Sequence, residues 1–157
     1  MRLTGANRSI NRQKLPLDEV RGEIQTPGSW RHRVFHGYLE MLQARSASRA
    51  FHPAGGLEVL SAQGPVFAVI RSAPAGGSGY GRDHEKDDGD DAQRVLCAVN
   101  CGGRPASLTI SRAVLGDGAA ESRIDLITGR PVPVTGDRNK AVIPLEPFAV
   151  RWITAAS

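Results

Sequence analysis

The chain has 157 residues, of which 40% are hydrophobic and only 5% aromatic, with a formal net charge of +4. That length supports one domain with a core built mainly of Val, Leu, Ile and Ala, and arginines scattered rather than gathered along one helix argue against a nucleic-acid partner. No run approaches the ~20 apolar residues that cross a bilayer, Met1–Gly5 lacks the apolar segment of a secretory signal, and Cys97 and Cys101 make no disulfide framework, so a cytoplasmic protein without a membrane partner is expected.

The opening stretch Gly5–Leu15, "GANRSINRQKL", is polar, rich in Arg and Asn, and without apolar periodicity. Residues 16–50 then read as helix. "LDEVRGEIQ", Leu17–Gln25, follows Pro16 and carries Asp18 and Glu19 in its first turn, where carboxylates meet the positive end of a helix. "TPGS" breaks the chain, and Ser29 is placed to cap a longer helix from Trp30 to about Arg45. Trp30, Val34, Phe35, Tyr38, Leu39, Met41 and Leu42 recur at spacings of three and four, which predicts one apolar stripe. Arg31, Arg33, Glu40 and Gln43 are expected on the other side.

From Gly55 onward the period changes to two. Strand-length runs occur at Leu57–Ser61, Val66–Arg71, Arg94–Asn100, Ser107–Arg112, Arg123–Ile127, Lys140–Ile143 and Ala149–Thr154, separated by Gly, Pro, Asn and Asp. Leu108 and Ile110 alternate with Ser107, Thr109 and Ser111, as in a half-exposed antiparallel strand. "RVLCAV" is apolar on both faces and should be central. The spacing predicts an antiparallel sandwich or barrel-like sheet. Between two of these strands lies "PAGGSGYGRDHEKDDGDDAQ", Pro74–Gln93, whose composition reads as a long disordered hairpin loop.

No reactive constellation emerges from the residues alone. The acidic loop fails as a calcium loop: with Gly89 sixth the register begins at His84, and counting from Asp83 puts Arg94 twelfth where a Glu is required. Cys97 and Cys101 have no second ligand pair and Cys97 sits among valines, so a small buried hydrophobe is expected and no metal. His32 and His36 are four apart but lack the Glu of a zinc-protease helix, and read as surface histidines. No phosphate loop or nucleophile elbow occurs. Asp18, Glu19, Glu23 and Glu40 have no evident partner carboxylate across a pocket.

The ordered series "NRSINRQKL", a helix, "VFHGYLEMLQARSASRAFHP", "VFAVIR", "RVLCAVN", "DLITG" and "LEPFAVRW" resembles the C-terminal end of sucrose-phosphorylase-like enzymes of glycoside hydrolase family thirteen, the α-amylase superfamily. The resemblance covers nearly the whole chain. It departs at Ser48-Arg49, in a turn that is Pro-rich in the family, and at the acidic insertion. Such enzymes are (β/α)8 barrels followed by a β domain. They transfer a glucosyl unit from sucrose or a related glucoside to phosphate through a covalent intermediate, with carboxylates from barrel strands four, five and seven, and no cofactor.

The resemblance implies an α+β fragment. Residues 1–50 would be the last loop and helix of a (β/α)8 barrel, and residues 51–157 an antiparallel all-β C-terminal domain. None of the three catalytic carboxylates would be included, so the chain alone is expected to be inactive. By motif register Arg8 is the arginine that helps hold the bound glucosyl unit, paired with a carboxylate from an early loop, while Asn11 and Arg12 brace the loop. A guanidinium suits that task because it can donate two hydrogen bonds at once. Two alternatives stand beside this reading. One is a β-sandwich carbohydrate-binding module, for which Trp152, Tyr80 and Phe148 are the available aromatics, although Trp152 alternates with Val150 as a core residue would. The other is a subunit that completes a barrel whose missing segment is a separate chain.

Overall fold

A computed structural model describes residues 14–74, 94–115 and 123–155. The chain divides into two compact units, Met1–Met41 and Leu42–Ser157.

In the first unit, α1 spans Leu17–Gln25, the bounds expected from its punctuation. The fixed φ of Pro16 suits the entry to a helix, and its carbonyl accepts the first helical bond from Val20 at 3.1 Å. Gly28 then adopts φ 84°, a left-handed conformation that side chains resist. Ser29 caps α2 (Trp30–Ala47) as anticipated. Its hydroxyl accepts the His32 amide at 3.0 Å and donates to the Glu23 carbonyl at 2.5 Å. One side chain thereby joins the start of α2 to the end of α1.

The apolar stripe of α2 needs a correction. At 100° per residue Arg31 projects between Tyr38 and Leu42, inside the apolar arc rather than opposite it. There it pairs with Glu23 of α1. No residue of α2 is buried; Trp30 is 67% and Tyr38 63% exposed. Among the described residues no helix is long and apolar enough to cross a membrane.

The second unit holds two antiparallel sheets. Six strands line up as β1-β2-β3-β9-β5-β6 and three as β4-β8-β7. Their ranges are β1 Gly56–Leu60, β2 Val66–Ser72, β3 Arg94–Asn100, β4 Ala106–Ser111, β5 Arg123–Asp125, β6 Arg130–Val132, β7 Thr135–Gly136, β8 Lys140–Leu145 and β9 Val150–Ala155. The seven expected strands are all present within one or two residues at each end. Leu126 and Ile127, expected in the fifth, lie instead in a turn. The strand "RVLCAV" is central, flanked by β2 and β9. β6 and β7 were not anticipated. Pro131 in β6 is tolerated because β6 is an edge strand, where a missing N–H faces away from the ladder.

Alternation delivers Ile70, Leu96, Ala98 and Ile153 from the larger sheet, and Leu108, Ile110, Ile143 and Leu145 from the smaller, into one core. Burying each Leu or Ile contributes roughly 1.5–3 kcal/mol. A second, smaller cluster forms on the other face of the larger sheet, where Ala50 and Phe51 of a short 3-10 turn cover Val69, Val95 and Cys97.

The β7–β8 connection is closed by Asp137. Its Oδ1 accepts the backbone N–H groups of Asn139 and Lys140, each at 2.8 Å. Those bonds favour the ionised form and lower the pKa of Asp137. Stability from this lowered pKa is present above the ordinary aspartate value, and is lost as pH falls through the lowered one. A carboxyl NMR titration of the folded chain should therefore give Asp137 a midpoint below the ~3.9 of a free aspartate. An ordinary midpoint would show that the turn does not hold these bonds in solution.

Candidate functional site

The loop residues singled out in the sequence, Arg8, Asn11 and Arg12, lie outside the described residues, as do Tyr80 and positions 75–93 of the acidic segment. The remaining candidates are placed individually. Cys97 is buried in β3 and Cys101 exposed beyond its end. Burial pushes the Cys97 thiol up to about 11, with the Arg71 guanidinium opposing part of that shift. A thiol with so little thiolate at neutral pH is inert. In native protein at pH 8 a thiol-titrating disulfide reagent should modify Cys101 quickly and Cys97 only on unfolding. Two equally fast thiols would contradict the burial of Cys97.

His32 and His36 have ring centroids 4.1 Å apart. His36 is exposed, whereas His32 is half-buried, with its Nδ1 2.7 Å from the Ile24 carbonyl. A carbonyl oxygen can only accept, so Nδ1 carries the proton. Among the described residues no group of three or more His, Cys, Asp or Glu could hold a metal ion. Trp152 packs on Phe51 with ring centroids 4.5 Å apart, in the smaller cluster. Phe148 is 69% exposed and holds φ 57°, the third position of the turn Glu146–Ala149 closed by the Ala149 N–H on the Glu146 carbonyl at 3.0 Å.

Two buried polar residues organise the β unit, and the sequence reading singled out neither. Asn100 is fully buried. Its Nδ2 donates toward the carbonyls of Arg104 at 2.8 Å, Glu146 at 3.0 Å and Leu145 at 3.3 Å, and its Oδ1 accepts the Gly102 N–H at 2.9 Å. Asp125 is 1% exposed. Its Oδ1 accepts the N–H groups of Ile127 and Trp152, both at 3.2 Å, and its Oδ2 accepts the Thr128 hydroxyl at 3.2 Å and faces Arg151 Nη1 at 3.5 Å. The sequence signal for both was an Asn or Asp followed closely by glycine, in "NCGG" and "DLITG".

The second unit also carries a cleft of about 710 Å3 between the last turn of α2 and the turn after it. Leu42, Phe51 and Pro53 supply its apolar lining, and Arg45, Ser48 and His52 are among its polar residues. Arg71 fixes the turn by donating to the carbonyls of Ala50 at 3.3 Å and His52 at 2.9 Å. The Ala54 N–H reaches His52 Nδ1 at 3.1 Å, which makes Nδ1 an acceptor and leaves Nε2 as a donor. Ser48 is 7% exposed and its hydroxyl has no hydrogen-bond partner.

No family model matches the chain. Among curated proteins it is 36% identical over 153 residues to the glucosylglycerate phosphorylase of Spirochaeta thermophila, an alignment that covers 96% of this chain and 24% of that protein. The chain thus spans about a quarter of the length of that relative. Among solved structures it is similar to an Anoxybacillus α-amylase, with a TM-score of 0.54 and 13% identity over 84% of this chain and 24% of that one. The α-amylase from H. orenii gives a TM-score of 0.53 and 14% identity, covering 87% of this chain and 22% of that one. At these identities the structural likeness concerns the fold alone.

Proposed function

Because the chain belongs to the sucrose-phosphorylase-like enzymes of glycoside hydrolase family thirteen, we propose that it serves as the C-terminal part of a phosphorylase that moves a glucosyl unit between a glucoside and phosphate. The observation that carries this reading is the 36% identity over 153 residues to a glucosylglycerate phosphorylase. That relative also makes a glucoside of glycerate the first donor to test. In this reading residues 1–50 are the last loop and helix of a (β/α)8 barrel, and residues 51–157 are the β domain that follows it. The exposed Trp30, Val34, Phe35 and Tyr38 of α2 support it. A row of large apolar groups on a surface calls for cover, which the strands of a barrel would provide.

Arg8 then belongs to the loop after the last barrel strand, on the face where such barrels keep their active sites. Its guanidinium would hold the glucosyl unit at the cleavage point with two hydrogen bonds directed at a carboxylate or vicinal hydroxyls. Asn11 and Arg12 would brace the loop. This role lies in binding and positioning. A nucleophile and a proton donor must come from carboxylates outside this chain.

The test is a chimera. The C-terminal quarter of the Spirochaeta enzyme is replaced by this chain, and phosphorolysis of glucosylglycerate is measured. Retained turnover is expected, with Arg8→Ala lowering kcat/KM at least tenfold, about 1.4 kcal/mol of transition-state binding, and Arg8→Lys failing to restore it. A folded chimera without activity, or one indifferent to Arg8→Ala, would sink the corresponding claim. The 157-residue chain by itself is expected to release no sugar above a matched blank.

A further inference from the structure

We propose that His32 and His36 of α2 form a two-histidine chelate for a divalent transition-metal ion such as Zn2+, with Nε2 of each ring as the ligand atom. The inference rests on the helix pair alone and not on the assignment of the chain to a phosphorylase.

Spacing is the first support. Residues four apart on a helix stand one above the other on a single face, the arrangement by which paired histidines on a helix grip zinc. Spacing alone would let the rings diverge; here their centroids lie 4.1 Å apart, with the planes inclined at 42°. The tautomer is the second support. The Nδ1–H of half-buried His32 donates to the Ile24 carbonyl of α1 at 2.7 Å, which leaves the lone pair of the neutral imidazole on Nε2. A ligating histidine characteristically gives its other N–H to a backbone carbonyl, which fixes the ring and raises its basicity. His32 holds that bond.

The surroundings admit a cation. At 100° per residue His36 lies roughly 160° round the helix from Tyr38, so a cover over the apolar row leaves the pair open to solvent. His36 is exposed, and its ring can turn to meet an ion that His32 holds. Arg33 and Glu40 stand three residues before and four after His36, so the charges they bring to this side cancel, while Arg31 is paired with Glu23. Among the described residues no third His, Cys, Asp or Glu joins the pair, which leaves the remaining metal positions to water. Imidazole ligands favour Zn2+, Ni2+ or Cu2+ over Mg2+, which takes oxygen.

The 157-residue chain, carrying Cys101→Ser so that the exposed thiol does not compete, is titrated with ZnCl2 near neutral pH while the histidine ring resonances are followed by NMR. Saturable shifts of His32 and His36 together are expected, and none with MgCl2. His36→Ala should weaken Zn2+ binding by about tenfold or more, because the second ligand of a chelate binds intramolecularly. That variant keeps the His32 contact with Ile24, so its lost affinity does not come from a loosened helix pair. His32→Ala should weaken binding to a similar extent. Zn2+ should also raise Tm in the parent chain and not in His36→Ala, since a ligand of the folded state stabilises that state. The proposal is overturned if the two rings do not saturate by about 1 mM Zn2+, if Mg2+ moves the same rings, if His52 or His84 responds in place of the pair, or if both alanine variants bind like the parent chain.

Discussion

Replacing Asp125 by alanine should destabilise the β unit by about 3–5 kcal/mol, the loss seen when one member of a buried ion pair is removed and the other stays. Asp125 is 1% exposed, and the side chain of Arg151 only 25%. The truncation would strand that guanidinium, whose Nε already has no partner. It would also orphan the N–H groups of Ile127 and Trp152 and the Thr128 hydroxyl, so the turn Leu126–Gly129 and the start of β9 loosen together. Asp125→Asn keeps an oxygen for the two amides but loses the charge and turns an NH2 donor toward the Thr128 hydroxyl and Arg151, so it should recover only part of what alanine loses. Urea unfolding at neutral pH measures both. A loss under ~1 kcal/mol for the alanine variant, the scale of an exposed pair, would mean that the carboxylate and guanidinium are solvated rather than joined.

Asn100→Ala is expected to cost about 2–4 kcal/mol, because several buried backbone groups lose their partner at once. Asn100 ends β3 in the larger sheet, whereas Leu145 ends β8 in the smaller. Its amide therefore ties the two sheets together at one end of the core. Asn100→Asp is the informative control. It is nearly the same size but directs an acceptor at three carbonyls, so it should be worse than alanine. If aspartate were better tolerated than alanine, packing rather than hydrogen bonding would explain the residue.

Local signals in the sequence carried the elements whose punctuation is local. Pro16 and "TPGS" bound α1, Ser29 caps α2, and the alternation of Leu108 and Ile110 declares β4. β6 and β7 span three and two residues, too few for a period to register, and Pro131 and Gly136 disguise them further. Arg31 was misplaced because its salt bridge to Glu23 lies across a turn, outside any helical spacing. Cys97 was legible as a buried hydrophobe, since its neighbours in "RVLCAV" are apolar. The buried polar residues were not legible in the same way, because Asp125 meets Arg151 and Asn100 meets Leu145 only after distant strands come together. The Ser48 cleft depends on Arg71, 21 residues from Ala50. Arg8 came from resemblance to a family, and no periodicity could have supplied it.

The order of strands in the larger sheet carries a consequence for synthesis. β9 lies between β3 and β5, and β5 and β6 reach the rest of the sheet only through it. Leu96 of β3 pairs with Ile153 of β9, so this seam closes across a long stretch of chain, a slow kind of contact to form. While a ribosome is still making the segment before Val150, β1 to β3 can assemble, but β3 presents an open edge and the β5–β6 hairpin has nothing to join. An unpaired apolar strand edge is a template for foreign strands. The nascent chain therefore passes through an interval, ended only when β9 arrives, in which the apolar strand β3 is available to chaperones and to neighbouring chains alike.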